Sequence, residues 1–401
     1  MKTYVFLTFA IYGIGGTQIY VRNKLLFLRA HGWNVIVVSS EPGSDLVIRE
    51  LGEFTDFVVP ELAKNPYQFS DRKRNEILSE VQRKLSNTVG ELVIESNYIN
   101  ANLWGEWLAQ RLEAKHFAYL IQEIYDMKSP KYLKFYDFKY TRGELAGNTR
   151  YALKMLFGSY RSVEENDGEL TAVCYNTIED CPVTQSVPEA TYKIGSIGRV
   201  NKPFVGPMVD DIVRFAGQHK EDTFLLMFFG GSPDQSDYDS IYRKTEGVSN
   251  LTVKITGPIF PVPKAMLDRM DVFISCAGAA RTSSDAGYIT ITMDSTDFEP
   301  IGILGYTTND NVHRNPEKPH QSTMELLEEI LYQKKYEKMP PKLELSSADY
   351  MEVFQTHMDY LERSAKEKHY YDMKKLRPRA KVLLGWLGAD RIQRIKKWIG
   401  R

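Results

Sequence analysis

Twice in this chain an apolar strand ends in glycine and passes at once into a helical pattern. The first stretch is Thr3-Tyr-Val-Phe-Leu-Thr-Phe-Ala-Ile-Tyr-Gly-Ile-Gly-Gly-Thr-Gln18, and the second is Tyr192-Lys-Ile-Gly-Ser-Ile-Gly-Arg-Val-Asn-Lys202. A strand that leaves the core through glycine and turns into a helix presents free backbone N–H groups and a helix N-terminus, where an anion can dock. The second turn adds two cations, Arg199 and Lys202. One such turn in each half predicts two nucleotide-type domains, of which only the second is equipped to hold a diphosphate.

The pattern around each turn supports this division. In the first half, strands over 3–11 and 34–39 flank a helix over 20–31, which makes a βαβ unit. A polar helical stretch over 70–87 leads to a strand over 91–95, a helix over 101–114 and a strand over 116–121. After about Pro182 the alternation restarts, with strands over 192–197, 223–229, 251–256 and 272–275 and helices over 207–219 and 263–270. A further strand over 288–293 precedes a loop over 294–319 and a helix over 323–335. Such alternation implies parallel sheets covered on both faces. At 401 residues the chain exceeds one ordinary core. The polar segment 184–191, with Pro188, is the linker, and the predicted domains are 1–185 and 186–370, followed by a C-terminal helix over 371–401.

That last segment differs from the rest. Residues 374–401 hold ten Lys or Arg against Asp390 alone, a local charge of +9 in a chain whose net charge is −1. Leu384, Gly388, Ile392, Ile395 and Ile399 share one helical face, and Trp386 and Trp398 add interfacial aromatics. A basic amphipathic helix of this kind is a surface for anionic lipid. Nucleic acid is not an expected partner, because the remainder of the chain is acidic. The cysteines, Cys174, Cys181 and Cys276, have no Cys-x-x-Cys spacing, and the seven histidines have no metal spacing, which argues against a disulfide framework or a zinc site and for a reducing compartment. The opening apolar run has no cleavage site and reads as a strand, not a signal peptide.

The order of these segments, with Phe228-Phe-Gly-Gly-Ser232 and Asn250-Leu-Thr-Val-Lys-Ile-Thr-Gly-Pro258 after Gly198-Arg-Val-Asn-Lys202, resembles the GT-B glycosyltransferases, family 4 in particular. The resemblance covers most of the chain and is strongest over 1–40 and 192–276. It implies two facing Rossmann-like doubly wound domains, an acceptor on the first and a nucleotide sugar on the second. It also implies transfer without a metal or other cofactor, and retention at the anomeric carbon.

On this resemblance Arg199 and Lys202 stabilise the leaving diphosphate, where charge builds up in the transition state. Gly15 and Gly16 form the turn that approaches it, and Glu123, after Gln122 at a strand end, orients the acceptor hydroxyl or takes its proton. The segment Ser275-Cys-Ala-Gly-Ala-Ala-Arg-Thr-Ser-Ser-Asp-Ala-Gly287 departs from the family, which usually carries there two glutamates separated by seven residues. Thr282, Ser283 and Asp285 stand in their place, and the loop Gly278–Asp285 is expected to supply the remaining donor contacts, while other registers bring in Asp294 or Glu299. The expected activity is transfer of a sugar to a growing, lipid-linked glycan on the cytoplasmic face of a membrane. A subunit that binds without catalysing, or a nicotinamide-dependent oxidoreductase with Glu41 on the ribose, are the alternatives.

Overall fold

The computed structural model describes residues 2–339 and 350–377, apart from 10, 44–45, 86–89, 123–126, 128, 165–166, 175–176, 184, 316, 318 and 320. Its contacts divide it into two compact units. Unit 1 takes 1–12, 20–173 and 349 onward, and unit 2 takes 13–19 and 174–348.

In unit 1 the elements run β1 (Lys2–Thr8), α1 (Gly16–Ala30, whose first turn, 16–19, counts with unit 2), β2 (Trp33–Ser39), α2 (Arg49–Phe54), β3 (Thr55–Val58), α3 (Asp71–Lys84), β4 (Glu91–Ser96), α4 (Ile99–Leu112), β5 (Lys115–Leu120), α5 (Pro130–Thr141), β6 (Leu145–Gly147) and α6 (Arg150–Phe157). The six strands form one parallel sheet in the order β3-β2-β1-β4-β5-β6. Val5, Leu7, Ile36, Val38 and Ile94 project to one face, where Ile77, Val81, Trp104 and Leu108 cover them. β1 stops at Thr8, short of the predicted 11, and Phe9 is already exposed.

Unit 2 repeats the plan. β7 (Ile178–Glu179) precedes β8 (Tyr192–Ile197), α7 (Val205–Gln218), β9 (Phe224–Phe229), α8 (Gln235–Thr245), β10 (Leu251–Ile255), β11 (Val262–Pro263), α9 (Lys264–Leu267), β12 (Val272–Cys276), α10 (Ala277–Asp285), β13 (Thr290–Met293), β14 (Pro300–Ile303) and α11 (Thr323–Leu327). Its main sheet has the order β10-β9-β8-β12-β13-β14, parallel except for the antiparallel edge strand β14. β9 shows why both faces must be covered: Phe224, Leu226 and Phe228 enter one core cluster, and Leu225, Met227 and Phe229 the other. The expected pair of doubly wound α/β domains is therefore present.

Other details also differ from the sequence prediction. The expected loop Gly278–Asp285 is helical, part of α10 (Ala277–Asp285), because Ala280, Thr282 and Ser283 find burial against the sheet. The predicted loop 294–319 contains β14. The predicted helix 323–335 is α11 followed by a π-helical turn, Glu328–Tyr332. Finally, the second domain does not run to 370. Helix α12 (Tyr350–Arg363) belongs to unit 1, where Phe354 is wholly buried and the Tyr360 hydroxyl donates to the Leu145 carbonyl at 2.7 Å. Residues Met373–Leu376 form a 3₁₀ turn in the same unit, with Met373 and Leu376 in its core. The rest of the predicted basic helix, 378–401, lies outside the described residues.

Candidate active site

In a sheet of this strand order the chain winds away from strand 1 in both directions, and a crevice opens outside the C-terminal ends of the strands at the reversal. In unit 2 that place is between β8 and β12. Their ladder pairs Val272 with Ile194 and Phe273 with Gly195. Beyond it the buried Ser275 hydroxyl takes over, accepting from the Ile197 N–H at 3.1 Å. The strand ends above this bond carry Gly198-Arg199 on one side and Ala277-Gly278 on the other.

The first of these turns is fixed by backbone. Gly198 N–H donates to the Phe229 carbonyl at 3.1 Å, and Val200 N–H to the Gly231 carbonyl at 3.2 Å. Gly198 and Gly230 both hold positive φ, +123° and +157°. A Cβ on Gly230 would run into the Gly198 carbonyl, so the two loops close only with glycine there. The Gly-Gly pair of the Phe228–Ser232 segment thus has a packing cause.

On this turn Arg199 is exposed and Lys202 half-buried, and among the described residues neither side chain has an ion pair or hydrogen bond. Other cations of the unit are engaged: Lys244 with Asp210, Arg269 with Glu189, and Arg314 with Asp297 at 2.8 Å. Among the described residues, then, the two cations of this turn are left without a side-chain partner.

The second turn is abrupt. β12 ends at Cys276 and α10 begins at Ala277, with no residue between them. Ala277 makes the change of direction alone by adopting φ +53°, a left-handed conformation that costs a non-glycine residue about 1–2 kcal/mol. Cys276 provides no side-chain cap. The amides of Gly278 and Ala279 precede the first i→i−4 bond of the nine-residue helix. Gly198 borders this helix start, since a Cβ built on it would lie 3.9 Å from the Ala279 Cβ. The structure therefore brings together the Arg199 turn and Gly278.

Gly16 joins them through a residue that the sequence did not single out. A Cβ on Gly16 would lie 3.5 Å from the Cys174 Cβ, and one on Gly278 would lie 2.9 Å from the Cys174 Sγ. Asn311 is the second such residue, hydrogen-bonded to the Ala277 peptide from a segment predicted as plain loop. Neither had a signal in the sequence, because both act across long separations.

The remaining candidates are placed differently. The Thr282 hydroxyl donates to the Gly278 carbonyl at 2.9 Å. The Ser283 hydroxyl donates to the Ala280 carbonyl at 3.1 Å and accepts from Thr290 Oγ1 at 2.9 Å. Both side chains are buried and occupied within the fold. Asp285 pairs with Arg281 at 3.2 Å; burial pushes its carboxyl up, against the pull of Arg281. Asp294 closes a turn, accepting from the amides of Thr296 and Asp297. Glu299 is exposed on the segment before β14. Gly15 precedes α1, accepting from Ile19 N–H at 3.1 Å, and Glu123 lies outside the described residues. Among the described residues no group of His, Cys, Asp or Glu converges as a metal site would require.

No family model matches the chain, and comparison with curated protein sequences yields no match. Solved structures do resemble it. Anabaena HepE in complex with UDP aligns with a TM-score of 0.58 at 11% identity, covering 90% of this chain and 100% of HepE. The apo lipopolysaccharide outer core galactosyltransferase WaaB aligns at 0.51 and 11% identity, covering 89% and 99%. S. aureus MnaA with UDP aligns at 0.51 and 10% identity, covering 92% and 99%. The chain has the GT-B fold of such proteins, with one Rossmann-like sheet in each unit.

Proposed function

We propose that the protein is a glycosyltransferase that moves a sugar from a nucleoside-diphosphate donor to a glycan. The observation that carries this reading is the pair Arg199 and Lys202, without side-chain partners among the described residues, beside the start of α10 at the switch point of unit 2. A sugar nucleotide leaves as a diphosphate, so negative charge grows on the leaving oxygens. Arg199 grips two of them as a fork while Lys202 adds a point charge, and both interactions strengthen toward the transition state. The amides of Gly278 and Ala279 supply further donors.

HepE and MnaA were solved with UDP, which makes a uridine nucleotide the first donor to test. Retention, independence of metal and membership of family 4 rest on the resemblance in motif order. Glu123 is the residue we assign to the acceptor hydroxyl. The basic segment 374–401 supports a lipid-linked acceptor at the inner, anionic face of a membrane. Among the described residues no helix is long and apolar enough to cross one.

One observation favours a second reading, a subunit that binds a nucleotide sugar without turning it over. Thr282 and Ser283, which stand where the family carries acids, spend their hydroxyls on backbone and on Thr290. Incubation with a panel of sugar nucleotides, followed by assay of released nucleotide with and without lipid-linked acceptors, separates the two. Release supports the transferase, binding without release supports the silent subunit, and absence of any binding overturns both.

A further inference from the structure

Ala277 is one of four non-glycine residues with positive φ among those described, and the only one of the four that opens a helix at the switch point. Its peptide is held from both sides by one residue. The Ala277 N–H donates to the Asn311 carbonyl at 2.7 Å, and Asn311 Nδ2 donates to the Ala277 carbonyl at 2.9 Å. Asn311 is tied in turn to the sheet, its carbonyl accepting from Thr292 Oγ1 at 3.3 Å, and Thr292 is wholly buried in β13. The left-handed residue replaces a loop: it swings the chain from strand to helix in one step and so fixes where the amides of Gly278 and Ala279 point. An alanine released from such a conformation relaxes toward negative φ, and the direction of the following amides changes with it.

We propose that Asn311 is a positioning residue for the anion site of unit 2, its carboxamide holding Ala277 left-handed so that the first amides of α10 stay aimed at the ligand. The ligand is the nucleoside diphosphate of the proposed function, on which this inference rests. The Asn311 carbonyl is backbone and survives any substitution, so Asn311→Ala isolates the carboxamide. Glycine adopts positive φ without strain, so Ala277→Gly should make the carboxamide dispensable.

The test uses the full chain, UDP as the probe in calorimetry, and amide hydrogen exchange over 277–280. Asn311→Ala should weaken UDP about tenfold, the scale of one hydrogen bond, and speed exchange at Gly278 and Ala279. The double variant Asn311→Ala/Ala277→Gly should bind UDP to within about threefold of Ala277→Gly alone and show the same exchange at Gly278 and Ala279 as that variant. Parent-like UDP binding and exchange in Asn311→Ala, with the variant folded by circular dichroism, would overturn the proposal. So would loss of binding that Ala277→Gly fails to repair, since that outcome makes Asn311 a direct contact or a general stabiliser. If the parent itself does not bind UDP, the donor reading fails while the clamp is still judged: unchanged exchange in Asn311→Ala removes it, and faster exchange repaired by Ala277→Gly retains it.

Discussion

Lys24 and Glu95 form an ion pair of 2.6 Å with neither side chain accessible to water. Burial draws the Lys24 ammonium down, and Glu95 opposes that shift. The carboxylate is also bonded by the hydroxyls of Tyr4 at 2.5 Å and Tyr20 at 2.9 Å and by Asn97 Nδ2 at 2.9 Å. The ammonium lies 5.1–5.6 Å from the ring centres of Tyr4, Phe117 and Tyr20. Removing one member leaves the other charge buried alone. Lys24→Met should therefore cost about 3–5 kcal/mol in urea denaturation, and Lys24→Met/Glu95→Gln, which keeps an acceptor for the tyrosines, should recover much of it. A single variant as stable as the parent would show that this pair is not what unit 1 depends on.

Acid should destabilise the protein in two stages. Burial holds His357 well below the ordinary imidazole value of 6.5, with Lys24 adding to the effect; burial and then Lys139 lower His116, against the pull of Glu106. Below pH 6.5 the unfolded chain takes up protons that the fold refuses, so stability falls by roughly 1.4 kcal/mol per pH unit for each group. Burial works against ionisation of Glu106, but Lys139 and His116 outweigh it and hold the carboxyl at about 2. Its contribution is complete above the unfolded value of 4.5 and is lost as pH drops from there toward 2. Equilibrium unfolding from pH 7 to pH 4 should show the first stage and only the onset of the second, which continues toward pH 2, and His357→Gln should reduce the slope above pH 5. A flat profile over that range would mean that the histidines titrate alike in both states.

Arg199→Ala should weaken UDP binding by roughly tenfold to more than a hundredfold, because a hydrogen bond to a charged group contributes about 1.5–3 kcal/mol. Lys202→Ala should do less and depend more steeply on salt, as a point charge does. Neither side chain has a partner to lose among the described residues, so melting temperatures should stay put. Affinities equal to the parent in both variants would place the anion site elsewhere.

Ser283→Ala should act in the opposite way. Its hydroxyl links α10 to Thr290 in β13 inside the core, so its removal should lower stability by about 1 kcal/mol and leave UDP affinity within twofold. A large change in affinity at constant stability would return Ser283 to the binding surface.

Much of the fold was legible before the structure. β8 stands as predicted, and β9 and β12 within a residue at one end, because a fully buried parallel strand leaves a continuous apolar run such as Phe224–Phe229. α8 was not seen, since its exposed polar face masks the few anchors, Ile241 and Thr245, that bury. α10 was missed because its helical state is imposed by packing and not by composition. In the site, Arg199, Lys202, Gly16 and Gly278 could be picked out as residue types in a pattern. Asn311 could not, because its role depends on a contact 34 positions away. Lys24 carries no mark in the sequence of α1 that sets it apart from a surface lysine.

Membrane binding should follow a sharper boundary than the run of charge suggests. Met373 and Leu376 are core residues, and the Tyr67 hydroxyl donates to the Met373 carbonyl. A chain ending at Arg377 should therefore stay folded and lose sedimentation with anionic vesicles, while one ending at Asp372 should lose stability as well. Undiminished sedimentation of the Arg377-terminated form would refute a lipid-binding role for residues 378–401.

The return of α12 to unit 1 has a consequence for how the protein is made. Lys24 meets His357 at 3.3 Å, and Lys115 donates to the Leu361 carbonyl at 2.9 Å, so the first unit is finished by residues synthesised after those of unit 2. A nascent chain will have all of unit 2 available by residue 348 while the earlier-born sheet still lacks its closing helix. The usual N-terminal-first order of folding on the ribosome is thereby inverted, and a fragment cut at Val173 should emerge as a client for chaperones, not as a free-standing domain.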